Sequence, residues 1–153
     1  VAARPAFATR AAVAAKPADD PDGTTHIVFM SENQAHFYFK NKHVGNILIL
    51  TGRVRNAYSE PRSFIRLLGV LLNSDEKILA DRFAYAGNML SDSDLVELLM
   101  NEILNRLQIK GGHDNVNVNV PPGADLRFML VFNNLPDGME QYRIDPISSD
   151  PAR

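Results

Sequence analysis

The stretch from Gly45 to Asn56 constrains this chain most. It opens with Ile47, Leu48, Ile49 and Leu50, apolar without a break, and closes with Arg53, Val54 and Arg55, where polar and apolar alternate. An unbroken apolar run of strand-forming residues needs cover on both faces, whereas an alternating one needs cover on a single face. The segment therefore predicts a central β-strand that becomes half exposed along its length. A central strand requires neighbours on both edges.

Those neighbours are legible as further β-prone runs between turn-forming clusters. Residues 27–30 and 36–39 bracket the polar Ser31-Glu32-Asn33-Gln34, and Ser59-Glu60-Pro61-Arg62 is a turn leading into the apolar run 63–72. Asn73-Ser74-Asp75-Glu76 has turn chemistry, so 63–72 and 78–85 are predicted to form a hairpin. Asn115-Val116-Asn117-Val118-Asn119-Val120 alternates strictly and is read as a strand ended by Pro121-Pro122-Gly123. Two more follow at 125–133 and 139–147, joined by Leu135-Pro136-Asp137-Gly138. About seven short strands with turns between them predict a mainly β fold, a two-sheet antiparallel sandwich.

One stretch breaks the pattern. Leu95, Leu98, Leu99, Ile103, Leu104 and Leu107 recur at helical spacing, Ser91 and Asp94 have the form of a capping box, and Gly111-Gly112 supplies a stop. A helical insertion is expected over 91–110, as one helix or as two short ones broken near Met100-Asn101. Val96, Met100 and Ile109 widen its apolar face beyond the stripe that packing on one sheet uses. Two readings follow: a contact surface for a partner or second copy, or a kinked pair of helices that closes one end of the sandwich.

The chain has 153 residues, enough for one core and a tail. Residues 1–25 are rich in Ala and Pro, with no acid before Asp19, and read as a flexible linker, with a transit peptide as the alternative. The domain is expected over 26–147 and a flexible tail over 148–153. The start at Val1 rather than Met suggests a fragment or a processed product. There is no cysteine, hence no disulfide, no thiolate nucleophile and no Cys-based metal site, and either redox compartment is compatible. With 16 basic against 18 acidic side chains the net charge is −2, which argues against nucleic acid as a partner. No run approaches the roughly 18 apolar residues that span a bilayer.

The residues that could carry chemistry favour structural readings. His26, His36, His43 and His113 show no metal-ligand spacing, although His36 and His43 are the pair a metal or small-ligand hypothesis would use. The acids Asp19, Asp20 and Asp22 lack the full calcium-loop pattern. Gly111-Gly112 lacks the Lys and Ser/Thr of a phosphate loop, and no Ser sits in a nucleophile elbow. Asp92 and Asp94 sit where a helix dipole favours acids. No catalytic, cofactor or metal residue is nominated. Asn115, Asn117 and Asn119 form a candidate row of amides on one strand face, either a polar-ligand surface or the solvated side of an edge strand.

An ordered series of segments resembles a bacterial domain-of-unknown-function family that follows a small zinc ribbon and a single transmembrane helix. The series runs Gly52, Val54, Asn56; then Pro61 with Arg62, Ser63, Phe64 and Ile65; then Tyr85, Gly87, Asn88; then Val120-Pro121-Pro122-Gly123; then Phe128 to Phe132. The resemblance covers about two-thirds of the chain. It implies an immunoglobulin-like sandwich, similar to late-embryogenesis-abundant-type domains, tethered outside the cytoplasmic membrane through segments absent from this chain. The expectation is a non-enzymatic interaction domain that meets an unidentified envelope protein or component, or itself. The competing expectations are a small-ligand or metal-binding module and, further off, a hydrolase.

Overall fold

A computed structural model describes residues 20–152. The chain runs through β1 (Ile27–Asn41), β2 (Gly45–Asn56), β3 (Arg62–Leu72), β4 (Ile78–Tyr85), α1 (Asp92–Glu97), α2 (Met100–Leu107), a 3-10 turn (His113–Asn115), β5 (Asp125–Phe132) and β6 (Gln141–Pro151). The strands form two antiparallel three-stranded sheets, in the orders β1-β2-β5 and β4-β3-β6. The fold is a mainly β sandwich, and β2 is a central strand as its apolar run requires.

The two sheets face each other through alternate residues. Leu67 and Leu71 of β3 are fully buried and share one core cluster with Ile47, Leu50, Leu130 and Phe132. Gly69 lies between those leucines because no side chain fits there: a Cβ would stand 2.8 Å from Leu130 Cδ1. Yet all five residues Phe128 to Phe132 are buried, and successive side chains of a strand point to opposite faces. The second face needs a cover, and the helical insertion supplies it. The chain leaves the sheet at Gly87, whose N–H donates to Arg127 O at the start of β5. It reaches the far end where the Lys42 N–H donates to Val96 O, and returns where the His113 N–H donates to Gly87 O. Leu95, Ile103 and Leu107, brought in this way, join the same core cluster.

Several boundaries differ from the sequence reading. Residues 27–30 and 36–39 are not two strands but one, because Ser31 to Gln34 stay extended and are absorbed as a bulge. Met30 pairs with Arg53 and Ala35 with Thr51, so the bulge holds residues that have no opposite number on β2. The alternating 115–120 segment is not a strand. Asp114, Asn115 and Asn119 all have φ near +50° to +60°, a conformation that Asn and Asp tolerate and that breaks a pleat, and only Val120 makes an isolated bridge, to Arg62. The described residues therefore hold six strands rather than about seven.

The insertion breaks at Leu98-Leu99, two residues before the expected kink. Leu98 and Leu99 are extended, with ψ of 152° and 151°, between two separately capped helices. The 1–25 linker ends earlier than expected: residues 20–25 belong to the domain, and the rest of that reading lies outside the described residues. The tail begins later, since β6 continues past Ile147 to pair Asp150 with Ser63 and Pro151 with Arg62.

Candidate functional site

The β1 strand differs from the β5 and β6 edges of the sandwich. On β5, Arg127 O accepts from the Gly87 N–H, and Val131 O accepts from Arg82 Nε at 3.1 Å while Arg82 Nη2 reaches Asn133 Oδ1 at 2.6 Å. On β6, the Ser149 N–H donates to Asp22 O. Between Ala35 and Lys40, by contrast, no backbone hydrogen bond among the described residues reaches β1 from outside its ladder with β2. This stretch carries two large exposed aromatics, Phe37 at 47% and Tyr38 at 59% exposure, on opposite faces of the strand.

Tyr38 stands on the side where β1 approaches β6. There a cleft of about 530 Å³ opens between the two sheets, floored by Leu48 and Leu71 and walled by His36, Tyr38, Met139 and Tyr142. The rings meet edge to face. His36 and Tyr142 have centroids 5.7 Å apart at 67°, and His36 and Tyr38 lie 6.5 Å apart at 87°. Strand pairing positions them, because Tyr38 is opposite Leu48 and Tyr142 is opposite Leu71, and those two leucines face the core. Glu140 lies at the rim, and among the described lining residues there is no Lys or Arg.

The residues singled out from sequence lie elsewhere and do not gather. Asn115, Asn117 and Asn119 do not form a row on one face. Asn115 and Asn119 are exposed, whereas Asn117 is wholly buried. Its amide pairs with β3 as a neighbouring strand's peptide would: Oδ1 accepts from the Ile65 N–H at 2.9 Å, and Nδ2 donates to Ile65 O and Ala86 O at 3.0 Å each. Val96 is half-buried, Met100 packs against the core, and Ile109 is 47% exposed. His36 is in the cleft wall, while His43 sits in the β1–β2 turn with Nε2 3.0 Å from Glu97 O. His26 packs edge to face on Tyr58 at 5.0 Å, and His113 lies 3.3 Å from Asp114. Among the described residues no group of three or more His, Asp or Glu is placed to hold a metal ion.

Asp20 and Tyr58 form a pair that shifts both of their pKa values. Burial by itself would raise the Asp20 carboxyl, but hydrogen bonds from Tyr58, Thr25 and Thr24 outweigh it together and hold the pKa below the ordinary value. Burial, with Asp20 accepting its proton, pushes the Tyr58 hydroxyl up to about 12. This pair pins the entry of the chain to the domain.

With this geometry in place, the comparison with known families is decisive on one point. The family described as Protein of unknown function (DUF3426) matches residues 30–145. The chain belongs to the DUF3426 family. The match spans most of β1 through the first half of β6, so both sheets, the helical insertion, and the cleft residues His36, Tyr38 and Tyr142 all fall within the DUF3426 region. No curated protein and no solved structure matches the chain. No helix of the described residues is long and apolar enough to cross a membrane.

Sequence reasoning passed over Tyr38 and Tyr142. The signal available was aromatic residues in 36–39 and 139–147. What it lacked was the stacking of the two sheets, which brings β1 of one against β6 of the other although they are far apart in the chain.

Proposed function

We propose that this DUF3426 domain is a non-enzymatic interaction domain that works outside the cytoplasmic membrane, with β1 as its contact strand. The observation that carries the reading is the uncovered stretch of β1 that presents Phe37 and Tyr38. An edge strand with open backbone groups and large exposed aromatics is a template for another extended segment, and folds that need no such contact cover or charge their edges. The other supports are the burial of Asn117 as a structural bolt, which breaks up the candidate amide row, and the resemblance to domains held behind a zinc ribbon and a membrane helix. The parent protein is, on this reading, anchored by those segments, and the sandwich is akin to late-embryogenesis-abundant-type domains.

The test takes the full-length protein in its own cell. A photo-crosslinking residue at Phe37 should capture one defined envelope protein, or a second copy, and the same residue at exposed Asp81 on β4 should not. Replacing Tyr38 by Lys should abolish the capture. Equal capture from both positions, or protease resistance of the domain in intact spheroplasts, would sink the contact-strand reading or the location respectively.

A further inference from the structure

The cleft beside β1 has a chemistry that the edge-strand reading does not use. It joins three features: an apolar floor of Leu48 and Leu71, three aromatic rings of which His36 stands at a steep angle to both Tyr38 and Tyr142, and one carboxylate, Glu140, with no Lys or Arg among the described lining residues. Rings at steep angles present more than one π-face or edge to a shared volume, and the negative face of Tyr attracts a cation within about 6 Å of the ring centre. The apolar floor disfavours a strongly hydrated ion such as a bare ammonium. It suits a cation whose charge is wrapped in methyl groups.

We propose that this cleft is a binding site for a quaternary ammonium group, with Tyr38 and Tyr142 facing the methylated nitrogen, His36 closing the box, and Glu140 supplying the compensating charge. The volume of about 530 Å³ is within the range of small-molecule sites, well above what one trimethylammonium group needs, so the remainder of the ligand extends toward Ser74 and Met139. The site is free to fill. Tyr38 keeps 59% of its surface exposed instead of collapsing onto the leucines below it, and Glu140 makes no side-chain ion pair with any described residue. The inference shares Tyr38 with the contact-strand reading but not Phe37, which points to the other face of β1 and separates the two in the tests.

The experiment is a titration of the full chain, followed by calorimetry and by tyrosine ring signals in NMR, with choline chloride and with 3,3-dimethylbutan-1-ol, which replaces the charged nitrogen by carbon. Choline should bind in the millimolar range or better, and the neutral isostere at least about tenfold more weakly. Tyr38→Leu should remove most of the choline affinity, Tyr38→Phe should restore it, and Glu140→Gln should weaken it and flatten its salt dependence. Phe37→Leu should leave it unchanged. Tyr142 also packs on the core, so Tyr38, on the exposed strand, is the decisive position. Co-sedimentation with phosphatidylcholine vesicles, competed by free choline, assigns the group to a lipid headgroup; binding of choline with no vesicle binding assigns it to a free solute. Isostere binding equal to choline, no response to choline, or choline affinity untouched by both Tyr38→Leu and Glu140→Gln would overturn the proposal. Loss of the Phe37 crosslink with choline binding retained would remove the contact strand and leave the site standing.

Discussion

Four asparagines are buried in this domain, and each replaces a piece of regular structure. Asn41 donates from Nδ2 to Leu95 O and Leu98 O at 2.8 and 3.0 Å, tying the β1–β2 turn to the end of α1. Asn56 donates to Glu60 O and Val120 O, and Asn88 donates to Leu107 O and Ile109 O, taking up carbonyls at the end of α2 that the helix itself leaves unpaired. Asn117 does the same between β3 and the end of β4. Asn117→Ala removes the acceptor of the Ile65 N–H and donors to two buried carbonyls, so it should lower stability by about 3 kcal/mol in a urea titration. Asn115→Ala, at an exposed position, should cost under about 1 kcal/mol. Tyr58 makes a second prediction at this scale. Its folded pKa of about 12 lies above its ordinary value of 10.0, so its contribution is complete below pH 10 and is lost as pH rises toward 12. Melting temperatures between pH 9 and 12 should therefore fall less steeply in Tyr58→Phe than in the native chain.

At the scale of elements, the helical insertion takes the two-helix form, one of its two sequence readings, with its break two residues earlier than expected. Its helical period and Ser91 cap were visible in the sequence, and the cap forms as written: Asp94 N–H donates to Ser91 Oγ at 3.1 Å while Asp94 Oδ2 faces the Ser91 N–H. One half of such a box, with Glu102 Oε1 accepting from the Leu99 N–H at 3.0 Å and no side-chain oxygen at Leu99 to complete it, restarts the helix after two extended leucines. That second start has no Ser, Thr, Asp or Asn to announce it, so the break was placed late. The wide apolar face arises because two helices meet the sheet separately: α1 buries Leu95, and α2 buries Ile103 and Leu107. Met100→Lys should therefore lower stability by about 2 kcal/mol or more, as a charge forced against the core, whereas Ile109→Lys should stay within about 0.5 kcal/mol. Thermal midpoints of the two variants decide it; equal losses would mean that Ile109 is core as well.

For the whole molecule, the two ends of the described chain close the sandwich together. Gly23 O accepts from Ser149 Oγ, Arg62 Nη2 donates to Ser149 O at 2.7 Å and Arg62 Nε to Ser149 Oγ at 3.0 Å, and the Asp22 carbonyl takes the Ser149 N–H. Gly23 has φ of +69°, and a Cβ there would overlap the Ser149 carbonyl and the Arg62 guanidinium. Gly23→Ala should thus cost at least about 2 kcal/mol, measured by chemical denaturation. Residues assigned to a linker by composition would not be expected to show any effect. Composition could not reveal the cap, because its stability comes from Ser149, more than a hundred residues away, and from Arg62.

The sequence by itself determined the things that depend on neighbours along the chain: the central strand β2, the β3–β4 hairpin, the helical period of the insertion, and the turn at Leu135-Pro136-Asp137-Gly138. Periodicity and turn chemistry act locally, so they are written in order. Tertiary structure decided which alternating segment pairs. The Asn115 to Val120 run has the period of a strand, yet Asn115 and Asn119 adopt positive φ and Asn117 turns inward, where its side-chain amide takes both the N–H and the carbonyl of Ile65 at the start of β3. Tertiary structure also decided the cleft. His36 meets Tyr142 only because the two sheets stack with β1 of one against β6 of the other, a long-range packing with no local signature in either segment.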